Sequence, residues 1–165
     1  AFKRYEDVRV QCQLHNEGKN VIENMLSKIE GKDYLDKAYT LQEIMLAQPK
    51  ELQIDLEPIH YFTEGMYLRS LFIPEGIVVV GEVHRHPHFT ILAEGKSTIV
   101  SQDGKMNVEA PFVFISTPFA KRSVYSTTDC TWITVHKNPD NETDIETVEN
   151  QHVIKDKQEL LELVK

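Results

Sequence analysis

Two spacings of apolar residues divide the chain into a helical first part and a β-rich remainder. Between Asn20 and Gly31, apolar side chains recur every three or four residues, as on one face of a helix. A second helix is expected from about Asp33 and ends before Pro49, because proline disfavours helical backbone in the preceding residue. From about Leu52 the apolar runs shorten to strand length, with proline and glycine between them. This change predicts N-terminal helices followed by sheet.

Ten short runs of alternating or β-branched residues are predicted as strands. In chain order they are "LQIDL", "IHYFT", "MYLRSLFI", "IVVVGEVHRH", "FTILA", "KSTIVS", "KMNVEA", "FVFIS", "RSVYS" and "CTWITVH". The clearest hairpin turn is "QDGK", Gln102 to Lys105. Because many short strands follow one another without β-α-β alternation, the pattern predicts a mostly β fold, a sandwich or a jelly-roll barrel.

The expected organisation is one domain with appendages, since 165 residues suffice for a single core. Residues 1–50 are expected to form a helical extension, residues 51–137 the barrel, and residues 138–165 an acidic tail with a short C-terminal helix in "DKQELLELVK". The segment "KNPDNETDIETVENQ" is acidic and rich in turn-forming residues, which predicts a surface excursion. The apolar residues of the last helix that are expected to pack on the barrel or on a second subunit are Leu160, Leu161 and Val164.

Composition and charge exclude several classes of function. The chain has 18 Lys and Arg against 26 Asp and Glu, a net charge of −8, and no basic stripe, so nucleic acid is not an expected partner. The longest apolar runs are strand-sized, so no membrane span is expected. Cys12 and Cys130 are far apart and belong to no C-x-x-C pair. Since the opening residues also lack the pattern of a signal peptide, a reducing cytoplasm is the expected location.

The candidate chemistry lies in "VGEVHRHPHFTILAEG", where Glu82, His84, His86 and His88 occupy alternate positions. In an extended strand these side chains share one face, and neutral imidazole binds first-row transition metals. At about 3.3 Å per residue, Glu82 and His88 would lie roughly 20 Å apart in a straight strand and could not share an ion. The predicted ligand pair is therefore His84 and His86. Pro87 is expected to bend or end the strand, which would bring His88 back as a third ligand. A polar or substrate-contacting face without metal is the alternative.

Two further histidines are candidate ligands from other strands. His136 ends "CTWITVH" and His60 lies in "PIHYFT". Strands distant in sequence face one another across a jelly-roll interior, so either residue could reach the same cavity, although a surface or hydrogen-bonded role is the alternative for each. His15 and His152 lie in polar segments and are expected to be solvated.

With these residues placed, the chain resembles the cupin superfamily. The first cupin motif reads G-x5-H-x-H-x3,4-E-x6-G. His84 and His86 stand at its paired histidines, Thr90 stands where its glutamate belongs, and Gly95 comes two residues early. An alternative register keeps the final spacing to Gly95. It places His88 at the glutamate position, with a leading pair formed by His84 and the residue two before it.

The second cupin motif, G-x5-P-x-G-x2-H-x3-N, resembles "APFVFISTPFAKRSVYS". Pro118 fits the turn, Phe119 replaces the glycine, and Arg122 occupies the histidine position. The resemblance implies a metal such as iron, manganese, zinc or nickel where the full ligand set is present, usually three histidines and a glutamate. Arg122 would repel a metal if it pointed inward. It is predicted instead to bind a carboxylate or phosphate, with a surface arginine beside Lys121 as the alternative.

Over residues 58–149 the chain is similar to small cupin-like proteins encoded mainly in bacteriophage genomes. The segments that carry this similarity are "YFTEGMYLRSLFIPEGIVVVGEVHRHPHFTILAEGK", "APFVFISTPFAKR" and "TWITVHKNPDNETDIETVE". No activity is generally assigned to these proteins. The resemblance implies a cupin-type double-stranded β-helix, a jelly-roll barrel with an N-terminal helical extension and a short C-terminal helix, and it leaves the reaction open.

Two functions are consistent with these residues. The first is a metal-dependent enzyme of the isomerase or oxygenase type, acting on a small polar or anionic molecule. The candidate metal ligands are His84, His86, His88 and His136, the candidate ligand-binding residues are Arg122 and His60, and the catalytic candidates are Tyr125 and His136. The second is a non-catalytic ligand-binding protein, or a virion or interaction module of a phage. The cupin analogy also implies a dimer, located in the host cytoplasm if the protein is phage-encoded.

Overall fold

The computed structural model describes residues 11–13 and 33–165. Strands dominate these residues, with helices at the N-terminal and C-terminal sides. The elements are β1 (Gln11–Gln13), α1 (Tyr34–Leu46), a 3-10 turn (Lys50–Leu52), β2 (Ile59–Thr63), β3 (Gly65–Ile73), β4 (Ile77–Val80), β5 (Val83–His84), β6 (His88–Glu94), β7 (Lys96–Ser101), β8 (Gly104–Glu109), β9 (Phe112–Ser116), β10 (Ser123–Ser126), β11 (Cys130–Asn138), α2 (Ile145–His152), β12 (Val153–Ile154) and α3 (Lys157–Leu163).

Ten strands form two antiparallel sheets that pack face to face. The site sheet has the order β2-β3-β11-β6-β9, and the helix-covered sheet has the order β1-β4-β10-β7-β8. Without the edge strands β1 and β2, the two orders are β3-β11-β6-β9 and β4-β10-β7-β8. Successive strands thus pass back and forth between the sheets, which is the connectivity of a jelly roll. The predicted mostly β, jelly-roll fold is confirmed.

Most strand predictions agree with the structure to within two residues. The hairpin at "QDGK" joins β7 to β8, where Ser101 pairs with Gly104 and Gly104 has a φ of 113° that favours glycine. The strand predicted at "LQIDL" is wrong. Its residues after Leu52 form no strand, because Ile54 and Leu56 pack against the core rather than joining a ladder. Ile54 and Leu56 alternate with polar residues because they are the ones that pack against the core, and not because they belong to a strand.

The inward faces of the two sheets bury the main core. Strand alternation points every second side chain inward, and the nine buried members of this core come from both sheets. They are Leu71, Ile73, Ile77, Val79, Leu92, Ile99, Val108, Cys130 and Trp132. This apolar core fills one end of the space between the sheets and leaves the other end for polar residues.

Helix α1 covers the outer face of the helix-covered sheet. Tyr34, Ala38, Leu41 and Met45 recur at helical spacing, and all four are buried. They pack against the outward residues Val78, Val80, Val100 and Tyr125. The helix expected from about Asp33 is confirmed, whereas the helix expected at 20–31 lies outside the described residues. Strand β1 lies within the segment expected to be helical and pairs with β4.

The C-terminal part is more ordered than the acidic composition suggests. The predicted surface excursion contains α2, whose first turn is capped by the Asp144 side chain accepting a hydrogen bond from the Thr147 amide. Strand β12 follows and pairs with β5. Within α3 only Leu160 is buried, whereas Leu161 and the following Val164 are about half exposed. Leu160 therefore packs on the barrel, and packing of the other two against a second subunit stays a prediction. Among the described residues, no helix is long and apolar enough to cross a membrane.

A buried hydrogen bond attaches α1 to the barrel, and its loss should be measurable. The Tyr34 hydroxyl donates to Ser123 Oγ at 3.0 Å, and Ser123 is fully buried. Tyr34→Phe leaves the serine without this donor, so we expect the free energy of unfolding to fall by about 1–3 kcal/mol. Chemical denaturation measures it. Tyr61→Phe is the control because Tyr61 is 53% exposed, and equal stability of the two variants would contradict the expectation.

Candidate metal centre

The inner face of the site sheet changes from apolar to imidazole along β11. Trp132, Thr134 and His136 alternate inward in that order, since they are two residues apart on one strand. We call the Trp132 end the floor and the His136 end the rim. The residues paired with these three on the neighbouring strands are, from floor to rim, Leu71 and Leu92, then Arg69 and Thr90, then Tyr67. The polar groups therefore collect at one end of a space whose other end is core.

Three histidines meet at the rim. The ring centroids of His84 and His88 are 4.3 Å apart, those of His88 and His136 4.5 Å, and those of His84 and His136 5.2 Å. One nitrogen from each ring lies within 4.8 Å of the others. His136, expected only as a ligand from a distant strand, is thus brought beside two of the three alternating histidines.

The chain between His84 and His88 does not run as one strand. Strand β5 ends at His84, the backbone bends at Arg85 and His86, and β6 begins at His88 after Pro87. The bend turns His86 outward, and it is exposed. The predicted pair of His84 and His86 is therefore replaced by His84 and His88. Pro87 lies at the end of the bend, as the sequence predicts, and the ligand spacing is that of the alternative motif register.

Backbone hydrogen bonds hold this bend from two sides. The Arg85 amide donates to the His152 carbonyl at 2.8 Å, and the Phe119 amide donates to the His84 carbonyl at 2.9 Å. Strand β12 continues the contact, since Val153 pairs with His84. The position of His84 thus depends on segments that lie about 35 and 70 residues further along the chain.

Phe119 has a backbone conformation that favours glycine. It stands at a glycine of the second cupin motif and has a φ of 64°, a left-handed conformation that side chains other than glycine rarely adopt. Its ring packs beside Val83, Ile154 and Leu160. This packing, together with the hydrogen bond to His84, offsets strain of roughly 1–3 kcal/mol.

A hydrogen bond fixes which nitrogen of His88 is available. His88 Nδ1 lies 3.2 Å from the His86 carbonyl oxygen. Because a carbonyl oxygen only accepts, Nδ1 carries the proton when this hydrogen bond forms and Nε2 is left with its lone pair. Metal-binding histidines are commonly oriented in this way by a hydrogen bond from the second nitrogen.

Burial keeps the three rings neutral. It is the main cause that lowers the pKa of His88 to about 4 and that of His136 to about 2. It also holds the pKa of His84 well below its ordinary range. The positive charge of Arg69 acts in the same direction on all three groups. Neutral imidazole is the form that binds metal, so proximity and protonation state both fit a transition-metal ion.

His152 extends the group of rings, although it was expected to be solvated. It is 7% exposed, its ring centroid lies 4.9 Å from that of His136, and burial lowers its pKa. The expectation failed because the segment forms a helix, in which Val148 and His152 are four residues apart on one buried face. His15, expected to be solvated as well, lies outside the described residues.

His60 lies one ring away from the three-histidine group. Its Nδ1 is hydrogen-bonded to the Tyr67 hydroxyl at 2.7 Å, and the Tyr67 ring stacks against His136 with centroids 5.7 Å apart. His60 lies on β2, where it pairs with Arg69 of the cavity lining. His60 itself is not among the residues that line the cavity.

A cavity of about 130 Å³ lies between the sheets, next to the three-histidine group. Arg122 lines it, with Nη1 donating to Ser116 Oγ at 2.6 Å and the guanidinium 5.2 Å from the centre of the Phe114 ring. Burial lowers the pKa of Arg122. Thr90, at the glutamate position of the first register, is also in the lining. The residues at both altered motif positions therefore face the cavity.

The structure does not bring Tyr125 to this cavity. Val124 lines the cavity, and alternation along β10 turns Ser123 and Tyr125 to the opposite face, under α1. Arg122 and Tyr125 are three residues apart, so one extended strand cannot point both inward. The proposed catalytic acid is thus separated from the site by the sheet itself.

Sequence reasoning missed Arg69, which lines the cavity from β3. It lies between Tyr67 and Leu71, two buried residues of the same phase, and a charged residue in the inward phase of a strand is the signal that could have revealed it. Arg69 Nη1 lies 3.9 Å from Glu149 Oε1 on α2. The ion pair links the site sheet to the C-terminal segment.

No protein-family model matches the chain, and no curated protein matches it. Solved structures similar to it include proteins described as cupins. A cupin superfamily protein from Desulfitobacterium hafniense has a TM-score of 0.45 at 10% identity, over 50% of this chain and 77% of its own. A cupin from Shewanella frigidimarina has a TM-score of 0.44 at 17% identity, over 50% and 75%. An acetylacetone dioxygenase from Acinetobacter johnsonii has a TM-score of 0.41 at 12% identity, over 53% and 66%. Because these identities and TM-scores are low, the activities and ligands of the similar proteins do not indicate those of this chain.

The buried neutral histidines predict a pH-dependent stability of the metal-free protein. In the unfolded chain His88 takes up a proton near its ordinary pKa of 6.5, whereas in the folded chain it does so only near 4. The unfolded state binds more protons between these values, so the free energy of unfolding should fall as the pH is lowered through that window. Denaturation of chelator-treated protein across the window measures the slope.

The matched variants for this test are His88→Asn and His86→Asn. His88→Asn removes one titrating group while keeping an amide donor near the position of Nδ1, so its stability should fall less steeply with decreasing pH. His86 is exposed, and its variant should follow the wild type. Equal slopes for His88→Asn and the wild type would show that His88 is not held neutral by the fold.

Proposed function

We propose that the protein binds a divalent transition metal through His84, His88 and His136 and that a small anionic ligand occupies the cavity beside it. The observation that carries the proposal is the convergence of three neutral imidazoles, two buried and one partly buried, each with a nitrogen within 4.8 Å of the others. Iron, manganese, zinc and nickel all accept imidazole nitrogen, so the ligand set defines a class of ion rather than one element.

Three protein ligands, rather than four, support a reactive site. Structural zinc sites are closed by four protein ligands, whereas catalytic sites keep a position open for water or substrate. A bound ion would supply Lewis-acid chemistry to a ligand in the cavity. The chain's own residues would orient that ligand, with Arg122 as the cationic anchor and Thr90 as a hydrogen-bonding group. An enzyme of the isomerase or oxygenase type is the first candidate.

A second candidate is capture of a small ligand without chemistry. The observation that favours it is the position of Tyr125, which lies under α1 and leaves the cavity without the acid expected there. Glu82 is the one carboxylate among the residues lining the cavity. Such a protein would act in the cytoplasm of a host cell or within a virion, as the sequence resemblance to phage-encoded cupin-like proteins implies.

The metal site can be tested by element analysis of purified protein loaded at neutral pH. We expect close to one equivalent of a transition metal in the wild type. His88→Ala and His136→Ala should each fall below about a tenth of an equivalent, because two remaining imidazoles hold an ion far more weakly. Circular dichroism checks that each variant remains folded.

His86→Ala is the matched control, since it removes a histidine from the same "HRHPH" segment without touching the three-histidine group. It should keep the wild-type metal content. Loss of metal in His86→Ala together with retention in His136→Ala would overturn the ligand set. Absence of every transition metal from the loaded wild type would leave ligand capture without metal as the remaining candidate.

A further inference from the structure

We propose that the ligand of the cavity is a small monocarboxylate with a short apolar group, bound with its carboxylate at Arg122 and its apolar end on the Trp132 floor. The inference deepens the proposed function and rests on it, because both concern the same cavity. It follows from the charge on the cavity wall, the level at which that charge lies, and the size of the space below it.

The Arg122 guanidinium is a partly buried cation that makes no ion pair with a described residue, although the charge of Asp103 acts on it from beyond ion-pair distance. Its contacts are the Ser116 hydroxyl and the Phe114 ring, and within residues 33–165 it forms no ion pair with a carboxylate. Removing a guanidinium from water without a counter-charge is costly. Arg69 adds a second guanidinium to the lining, but its charge is matched by Glu149 at 3.9 Å, so Arg122 is the arginine of the lining that lacks an ion pair. An anionic ligand would complete this arrangement.

The sheet register gives the level of the arginine. Ser116, which accepts the hydrogen bond from Arg122, pairs with His88. Phe114, beneath the guanidinium, pairs with Thr90. The cationic group thus lies at the level of the histidines and just below it, so the charged end of a ligand would lie beside the metal site.

Below this level the wall is apolar. The lining residues toward the floor include Leu71, Ile73, Val79, Ile99 and Val124, together with Trp132. The cavity volume of about 130 Å³ is close to that of an apolar cavity of about 150 Å³ that holds one benzene molecule. A ligand must therefore be small, and the part of it that reaches the floor must be apolar.

Two residues of the lining retain unused hydrogen-bonding capacity. Trp132 Nε1 and Thr134 Oγ1 are buried and make no hydrogen bond within the part of the chain that the structure describes. The indole nitrogen can only donate, and the hydroxyl can donate as well as accept. Because neither atom is exposed to solvent, and because a carboxylate held at Arg122 does not reach the floor, neither group is assigned to the ligand.

The test is calorimetric titration of the metal-loaded protein with butanoate and benzoate. Butanamide and benzamide are the neutral counterparts, and decanoate is the probe that exceeds the cavity. We expect the two short carboxylates to bind at least about tenfold more tightly than their amides, because a charge-assisted hydrogen bond to guanidinium is lost in the amide. Decanoate should bind more weakly than butanoate.

Arg122→Gln removes the cation, and Lys105→Gln makes the same change of charge at an exposed position. Carboxylate affinity should fall at least about tenfold in the first variant and stay within twofold in the second. If Arg122→Gln keeps both its metal and its affinity for butanoate, the ligand class is wrong while the metal site stands. If wild-type protein binds butanoate through Arg122 but never binds metal, the metal site fails while the ligand class stands.

Discussion

Three imidazole rings with centroids 4.3–5.2 Å apart can share one buried rim only while they are uncharged. Protonation would place a poorly solvated cation beside Arg69 and Arg122, and each further proton would add repulsion between the rings. The fold therefore holds the histidines as neutral nitrogen donors. Arg69 is paired with Glu149, whereas Arg122 forms no ion pair with a described residue, so an anion beside a bound metal ion would also be stabilised by Arg122. The histidines that would bind the metal and the arginine that would bind the anion therefore form one site.

This rim depends on contacts that are distant in sequence. His84 is held by hydrogen bonds and pairing to residues 119, 152 and 153, and Arg69 is paired with Glu149 on α2. The C-terminal segment thus carries His152 to the site and also fixes the strand that carries His84. The buried residues of this segment are those that contact the barrel, whereas Leu161 and Val164 are exposed. The acidic segment after β11 is a structural part of the site.

The alternation of apolar residues predicted the strands, and with the cupin resemblance it predicted the jelly roll, because each strand buries one face. The same rule failed at His86, since a bend between β5 and β6 interrupts the alternation and no local residue pattern gives its direction. The rule does apply to Tyr125. Because Tyr125 is three residues from Arg122, the two side chains lie on opposite faces of an extended strand. His136 and His152 reach the site through long-range pairing and helix packing, which sequence spacing does not record.

Arg122 occupies the histidine position of the second cupin motif, and the three clustered histidines lie elsewhere in the candidate site. Arg122 directly precedes β10 of the helix-covered sheet, whereas His88 and His136 lie on β6 and β11 of the site sheet. Two of the three imidazoles therefore lie on one wall, His84 comes from β5 outside that sheet, and the cation extends from the other wall to Ser116. A ligand between these walls would meet nitrogen-bound metal on one side and a guanidinium on the other. This arrangement favours an anion that can interact with the metal and with the guanidinium. The part of the ligand that contacts the floor would be apolar, because the floor is apolar.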